Sequence, residues 1–293
     1  MITFPNAKIN LGLRIVGKRA DGYHDLDTVF LPIPLCDVLE IVPTESHNST
    51  TLQTYGLQLD DANAEQNLAM KAFRELSSRL DKQASPAGSC PTLLPSIQMH
   101  LYKRIPTGAG MGGGSSDATH ALIMLRDLFE LPITTDELQE TAVKLGADCP
   151  FFLKNTPCHA TGIGDIIEPI KLTALTGMHI VVVKPPLHIS TAEAFRGIKP
   201  QDISRTTKDI VLHEPVTAWR DLLHNDFEDS LFPHHPQLAE IKEHLYETGA
   251  IYASMTGSGA ALYGLYPCTF TPSCIHSAFP DNCFVWTHSL PLY

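Results

Sequence analysis

Apolar and polar residues alternate over residues 7–16 (Ala7-Lys8-Ile9-Asn10-Leu11-Gly12-Leu13-Arg14-Ile15-Val16), the period-two pattern of a half-buried strand with Lys8, Asn10, Gly12 and Arg14 on one face. Further strands are predicted over 28–35, 37–42, 48–59 and 97–102. A helical period takes over at 67–80, where Leu68, Ala72, Phe73, Leu76 and Leu80 share one side. A second helix is expected over 118–128, burying Leu122, Leu125, Leu128 and Phe129, with Ser115, Ser116 or Asp117 as its N-cap. Thr134 followed by Glu137 reads as a capping box for a third helix, which buries Leu138, Ala142, Val143 and Leu145 and stops at Gly146. Gly162 and Gly164 turn a predicted hairpin within 158–170, and 180–184 is a continuous apolar strand closed by Pro185-Pro186. Residues 222–227 and 238–248 read as helices, and 254–263 as a small-residue turn between strands, close to a ligand or to another backbone. Residues 83–95, rich in Pro, Ser and Gly, read as a surface loop or insertion. The composition break near Pro185-Pro186, taken to begin at Ile166, divides the chain into segments 1–165 and 166–293.

Composition narrows the class. At 293 residues, 43% hydrophobic and 18% charged, the chain can bury a sizeable core as an ordinary globular protein. A formal net charge of −11 argues against broad binding to nucleic acid or to anionic membranes, so any phosphate site must be local. No charged leader followed by a long apolar run opens the sequence, and 178–183 is too short to span a bilayer, which points to a cytoplasmic protein of bacterial type. Seven cysteines without a Cys-x-x-Cys pair read as reduced thiols. Cys268, Cys274, His276, Cys283 and His288 follow no familiar zinc spacing and read as unrelated side chains.

The chemistry concentrates in Pro106-Thr107-Gly108-Ala109-Gly110-Met111-Gly112-Gly113-Gly114-Ser115-Ser116-Asp117. Its five glycines allow successive N–H groups to turn inward around an anion, and the helix behind it would aim its positive end at the same charge. No lysine follows the last glycine, as a Walker A loop requires, and no convincing strand follows to complete a dinucleotide fold. Two further places carry alternative readings. Asp148, before Cys149-Pro150-Phe151-Phe152, is either the cap of a short helix or a carboxylate positioned as a base. Adjacent Tyr23 and His24, after an Asp-Gly turn, either pack as an ordinary turn or offer a stacking face and a hydrogen-bonding edge to a flat ring.

Five blocks, read together and in order, carry a resemblance: residues 7–11, 21–24, 105–118, 145–152 and 255–260. The chain resembles the GHMP kinase superfamily over nearly its whole length. The glycine loop and Thr256-Gly257-Ser258-Gly259 mark the superfamily, and 8–11 with 21–24 mark its cytidyl-accepting branch. The resemblance implies an α+β fold of two domains, an ATP-binding domain (1–165) and a C-terminal domain (166–293), with the active site in the cleft between them. It implies transfer of the γ-phosphoryl group of ATP to the 2-hydroxyl of 4-diphosphocytidyl-2-C-methyl-D-erythritol, in the non-mevalonate route to isoprenoid precursors. It assigns the phosphates to Pro106, Thr107, Gly108, Ala109, Gly110, Met111, Gly112, Gly113, Gly114, Ser115 and Ser116, and the adenine to Asn67 and Leu68. Asp148 matches the catalytic base and Lys8 its partner, while Asn10, Tyr23, His24, Thr191 and Phe195 match the substrate pocket, with the pyrimidine between Tyr23 and Phe195. Mg2+ is expected with ATP, with Ser115 or Ser116 in reach. The partner is a small molecule, with no nucleic acid or membrane. Met111 and Thr119 stand where the family more often has leucine and alanine, and 83–95 is longer than typical. Two rival readings remain: a mevalonate- or sugar-type kinase, against which the aromatic pair speaks, and a non-catalytic nucleotide-binding protein, against which Lys8 and Asp148 speak.

Overall fold

The computed structural model describes residues 1–44, 50–57, 64–83 and 94–293; most of the 83–95 segment lies outside the described residues. Along the chain run β1 (Ile2–Thr3), β2 (Asn6–Lys18), β3 (His24–Cys36), β4 (Val38–Pro43), β5 (Thr51–Gly56), α1 (Leu68–Gln83), β6 (Ile97–Lys103), α2 (Gly113–Leu128), α3 (Thr135–Leu145) and α4 (Cys149–Lys154). There follow β7 (Cys158–Thr161), β8 (Ile166–Pro169), β9 (His179–Lys184), α5 (Thr191–Ala194), α6 (Thr207–His213), α7 (Trp219–Leu222), α8 (Asp226–Leu231), α9 (Pro236–Glu247), β10 (Tyr252–Met255), β11 (Leu262–Tyr266) and β12 (Phe284–Ser289). The chain gathers into two compact units, one of Met1–Ala7, Leu35–Thr107 and Gly112–Asn155, the other of Lys8–Pro34, Gly108–Met111 and Thr156–Tyr293.

The first unit holds a sheet in the order β1-β4-β6-β5, with β5 and β6 parallel and the other pairs antiparallel. Along β6, Ile97, Met99 and Leu101 point inward at a period of two and pack with Leu76 of α1 and Leu122 and Leu125 of α2. Lys103 falls on that same inward face. The capping box of α3 forms as expected, with Thr134 Oγ1 accepting from Glu137 N and the Glu137 carboxylate accepting from Thr134 N. Arg79 adds a second tie from α1, donating to Glu137 at 3.0 Å, and these bonds pull the Glu137 carboxyl down to about 2.

The second unit holds two sheets, β2-β3-β7-β8 and β10-β11-β9-β12. The β7–β8 hairpin turns where Gly162 and Gly164 lie, and β9 is apolar and buried between β11 and β12. β2 differs from the half-buried strand expected, because Ala7 through Leu13 are buried on both faces. The helix expected over 222–227 is instead two, α7 ending at Leu222 and α8 starting at Asp226; Asn225 between them is extended and caps α8.

Candidate active site

The glycine run and α2 meet at least three residues earlier than the polar caps suggest. α2 begins at Gly113, and its N-cap is Gly112 at φ 68°, a conformation in which any Cβ would be strained. No side chain caps the helix. Ser115 and Ser116 are helical residues of its first turn, so none of Ser115, Ser116 and Asp117 is the N-cap. A serine or aspartate cap would have satisfied one of the first-turn N–H groups; a glycine cap leaves them turned outward, as a phosphate requires. Ser116 is buried with its hydroxyl 3.4 Å from His120 Nδ1, whereas Ser115 is only half-buried. Leu68 stands beside this turn, its Cδ1 3.4 Å from where a Gly114 Cβ would lie, and Asn67 caps α1 by accepting from Ala69 N at 2.9 Å.

Beneath the turn is a charged cluster absent from the sequence-based candidates. The Lys103 ammonium donates to Asp117 Oδ2 of α2 at 2.6 Å and to Asp37 Oδ2, all three side chains being buried. Asp37 Oδ1 also accepts from Arg104 N at 2.5 Å and Ile105 N at 2.8 Å, fixing the backbone that enters the glycine run. Burial opposes the charge on Lys103, yet the two carboxylates outweigh it and raise its pKa. Burial, with the like charge of Asp37, pushes the Asp117 carboxyl up to about 7 against the pull of Lys103.

Asp148 heads α4 without capping it. It occupies the N-cap position but at φ −81° and ψ −15°, and its carboxylate accepts no backbone N–H of the helix. Pro150 in the first turn has no N–H to offer. The carboxylate instead faces the α2 terminus, its Oδ2 3.3 Å from where a Gly112 Cβ would be, with the Phe152 ring alongside at 3.0 Å from the same point. Thr119, an unexpected residue at its position, ties the two helices: its hydroxyl lies 2.9 Å from Ser115 O and 3.0 Å from Cys149 O. Burial holds the neighbouring Cys149 thiol up at about 11, so it stays protonated.

In the second unit Lys8 is 3% exposed, its ammonium 2.8 Å from Asn10 Oδ1 and 4.8 Å from the centre of the Phe30 ring. Its backbone N–H donates to Met111 O at 3.0 Å. Asn10 is committed on all sides: its side-chain amide N–H donates to Thr28 Oγ1 at 3.0 Å, and its backbone carbonyl accepts from Tyr263 OH at 2.7 Å. The Thr256 turn packs on the glycine run: Ala260 N donates to Gly108 O at 3.1 Å, and the Thr256 hydroxyl donates to Gly110 O at 3.1 Å. A Cβ on Gly110 would collide with the Thr256 carbonyl, and one on Gly257 would stand 2.9 Å from Gly110 O. Asn225 braces that turn, donating to Met255 O at 2.8 Å and Gly257 O at 2.9 Å, while Glu228 Oε1 accepts from Met255 N at 2.7 Å.

The aromatic residues divide differently from the expected sandwich. His24 stacks on Phe195 with centroids 4.8 Å apart, and Phe195 sets its ring edge-to-face with Phe227. Tyr23 is 60% exposed. Asp21 Oδ1 accepts from Tyr23 N at 3.0 Å and so fixes the turn that presents it. Thr191 opens α5, whose cap is Ser190 and whose Glu193 is 2.9 Å from His235 at the head of α9.

An uncapped glycine-rich helix terminus with a carboxylate against it is the equipment of phosphoryl transfer. The GHMP kinases N terminal domain matches residues 67–155 and the GHMP kinases C terminal domain residues 211–269. The chain belongs to the GHMP kinases. It is 48% identical over 291 residues to the 4-diphosphocytidyl-2-C-methyl-D-erythritol kinase of Porphyromonas gingivalis, covering 99% of this chain and 100% of that one. The enzyme of the same name from Bacteroides thetaiotaomicron is 48% identical over 91% of this chain and 92% of its own. A crystal structure of 4-(cytidine 5'-diphospho)-2C-methyl-D-erythritol kinase superposes with a TM-score of 0.76 at 29% identity, over 98% of both chains. The Methanococcus jannaschii mevalonate kinase shares the fold, with a TM-score of 0.70 at 15% identity over 98% of this chain and 97% of that one. Among the described residues no helix is long and apolar enough to cross a membrane.

Proposed function

We propose that the chain is an ATP-dependent kinase that phosphorylates the 2-hydroxyl of 4-diphosphocytidyl-2-C-methyl-D-erythritol in the cytoplasm, giving the 2-phosphate and ADP. The observation that carries the chemistry is the Asp148 carboxylate, which heads a helix without capping it and faces the Gly112 end of α2. The relatives' shared name and the paired rings of His24 and Phe195 support the cytidyl substrate.

In this reading residues 106–116 cradle the ATP phosphates, the α2 terminus adding its positive end, and Asn67 and Leu68 flank the adenine. The substrate hydroxyl oxygen attacks the γ-phosphorus, the bond to the β,γ-bridging oxygen breaks, and ADP leaves with that electron pair. Asp148 orients the hydroxyl and receives its proton; Lys8 favours the ionised carboxylate, and Asn10, fully engaged in the fold, holds the Lys8 ammonium in place. Magnesium, brought by ATP, would neutralise phosphate charge, and the half-buried Ser115 rather than the buried Ser116 is suited to meet it. The cytosine ring stacks on the exposed Tyr23 beside the His24–Phe195 pair, His24 supplying a hydrogen-bonding edge and Thr191 a hydroxyl beside it.

ADP release by purified protein with Mg-ATP tests this, with and without the cytidyl substrate and with mevalonate and galactose as controls. Strict dependence on the cytidyl compound is the expected result. Turnover of a control, or none with the cytidyl compound, overturns the substrate assignment.

A further inference from the structure

In the second unit, α9, the segment 185–187 after β9 and the segment 278–283 before β12 line an open cavity of about 680 Å³. That is the size of a small-ligand pocket, and its lining includes none of the residues assigned above to phosphate, substrate or base. Leu187, Ile241, Ala278 and Phe279 make its apolar wall, and Ile241 and Phe279 are at once part of the unit's core, so the wall is rigid. The Phe279 ring is held edge-to-face by His244 at 5.2 Å.

The charged lining is mostly acidic. Glu240, Glu243 and Glu247 line the cavity from one face of α9, at spacings of three and four residues, with His244, Gln237 and Asn282 between and beside them, and no lysine or arginine is among the described lining residues. Like charges at these spacings repel, and the fold compensates them only in part. Glu243 is 3.8 Å from Arg220, whose guanidinium lies over the Tyr246 ring, and Glu247 is 2.9 Å from His244 Nδ1. Glu240 makes no ion pair among the described residues.

We infer that this cavity binds an amphipathic organic cation, an amine or amidine carried on an aromatic or alicyclic ring. The ring fills the space between Ile241 and Phe279, and the cation takes up the charge of Glu240 and Glu247. An anion of the same shape meets the same carboxylates as repulsion, so the cavity discriminates by sign as well as by shape.

The test is calorimetric titration of the full chain with tryptamine and, separately, with indole-3-acetate, ADP and cytidine 5'-diphosphate being present to fill nucleotide-binding surfaces. Tryptamine is expected to bind at least about tenfold tighter than indole-3-acetate, and E240Q/E247Q to lose about tenfold in tryptamine affinity while keeping wild-type turnover. A278W, which fills the cavity, should abolish binding; the isosteric double variant carries the test if A278W fails to fold. Equal affinity for the two indoles, insensitivity to E240Q/E247Q, or no tryptamine binding would each overturn the inference.

Discussion

Replacing Asp148 by Asn separates the two readings of that residue. A side chain that caps a helix contributes about 0.5–2 kcal/mol, but the Asp148 carboxylate accepts no N–H of α4, so this loss does not apply. The substitution keeps the shape against Phe152 and Gly112, and stability should change by less than about 0.5 kcal/mol, as for an isosteric change at a partly exposed polar site. Turnover should fall by about 10²–10⁴, the range for a lost general base, equivalent to roughly 3–5 kcal/mol of transition-state stabilisation. The KM for ATP should stay within about twofold, since the phosphates are assigned to α2 and its loop. Coupled ADP release gives kcat and KM, and urea unfolding gives stability. Near-normal kcat, or a stability loss above about 1 kcal/mol with activity retained per folded molecule, would return Asp148 to a structural part.

Gly110→Ala should destabilise the protein by about 2–5 kcal/mol, since left-handed strain of about 1–2 kcal/mol adds to overpacking of about 1–3 kcal/mol against the Thr256 carbonyl; urea unfolding reads this, and a neutral result would contradict the contact. The Asp117 carboxyl is raised in the folded state to about 7 from an ordinary value of 3.8, so the folded protein binds the extra proton and stability should fall as pH rises from about 4 through 7. Asp117→Asn should flatten that slope in unfolding curves collected across this range, and an unchanged slope would mean that another group carries it. Tyr23→Ala should raise the KM for the cytidyl substrate with no change in melting temperature, because the ring is mostly exposed. Phe195→Ala should raise that KM and also lower the melting temperature, because its ring packs on His24 and Phe227; equal stability of both variants would refute the division of labour.

Local signals in the sequence placed most elements. Thr134 with Glu137 marked the start of α3, Gly162 and Gly164 marked the β7–β8 hairpin, and Thr256-Gly257-Ser258-Gly259 lies against another backbone segment, one of the two outcomes foreseen. The α2 start escapes the local pattern because polar side chains are the usual caps, whereas here a glycine cap keeps the terminus open. Asn225 falls inside the helical pattern of 222–227, yet its role is set by Met255 and Gly257, about thirty residues away, which no local pattern reports. The Lys103 cluster had a readable sign: in Ile97-Gln98-Met99-His100-Leu101-Tyr102-Lys103 the lysine continues the inward set, and an inward lysine needs carboxylates. Asp37 and Asp117 were then the partners to look for. Exposure and stacking of Tyr23 and His24 depend on tertiary neighbours and were not legible.

The contact between Gly110 and the Thr256–Gly257 backbone joins two segments more than 140 residues apart in the chain, with room for no side chain on either glycine. In a complete substitution scan these two positions should therefore stand out as a linked pair of intolerant columns, although neither carries a functional group. For anyone building chimaeras from this fold, the glycine loop is not a portable cassette: it has to travel with the distant turn that was shaped around it, because a side chain on either glycine would meet the other segment's backbone.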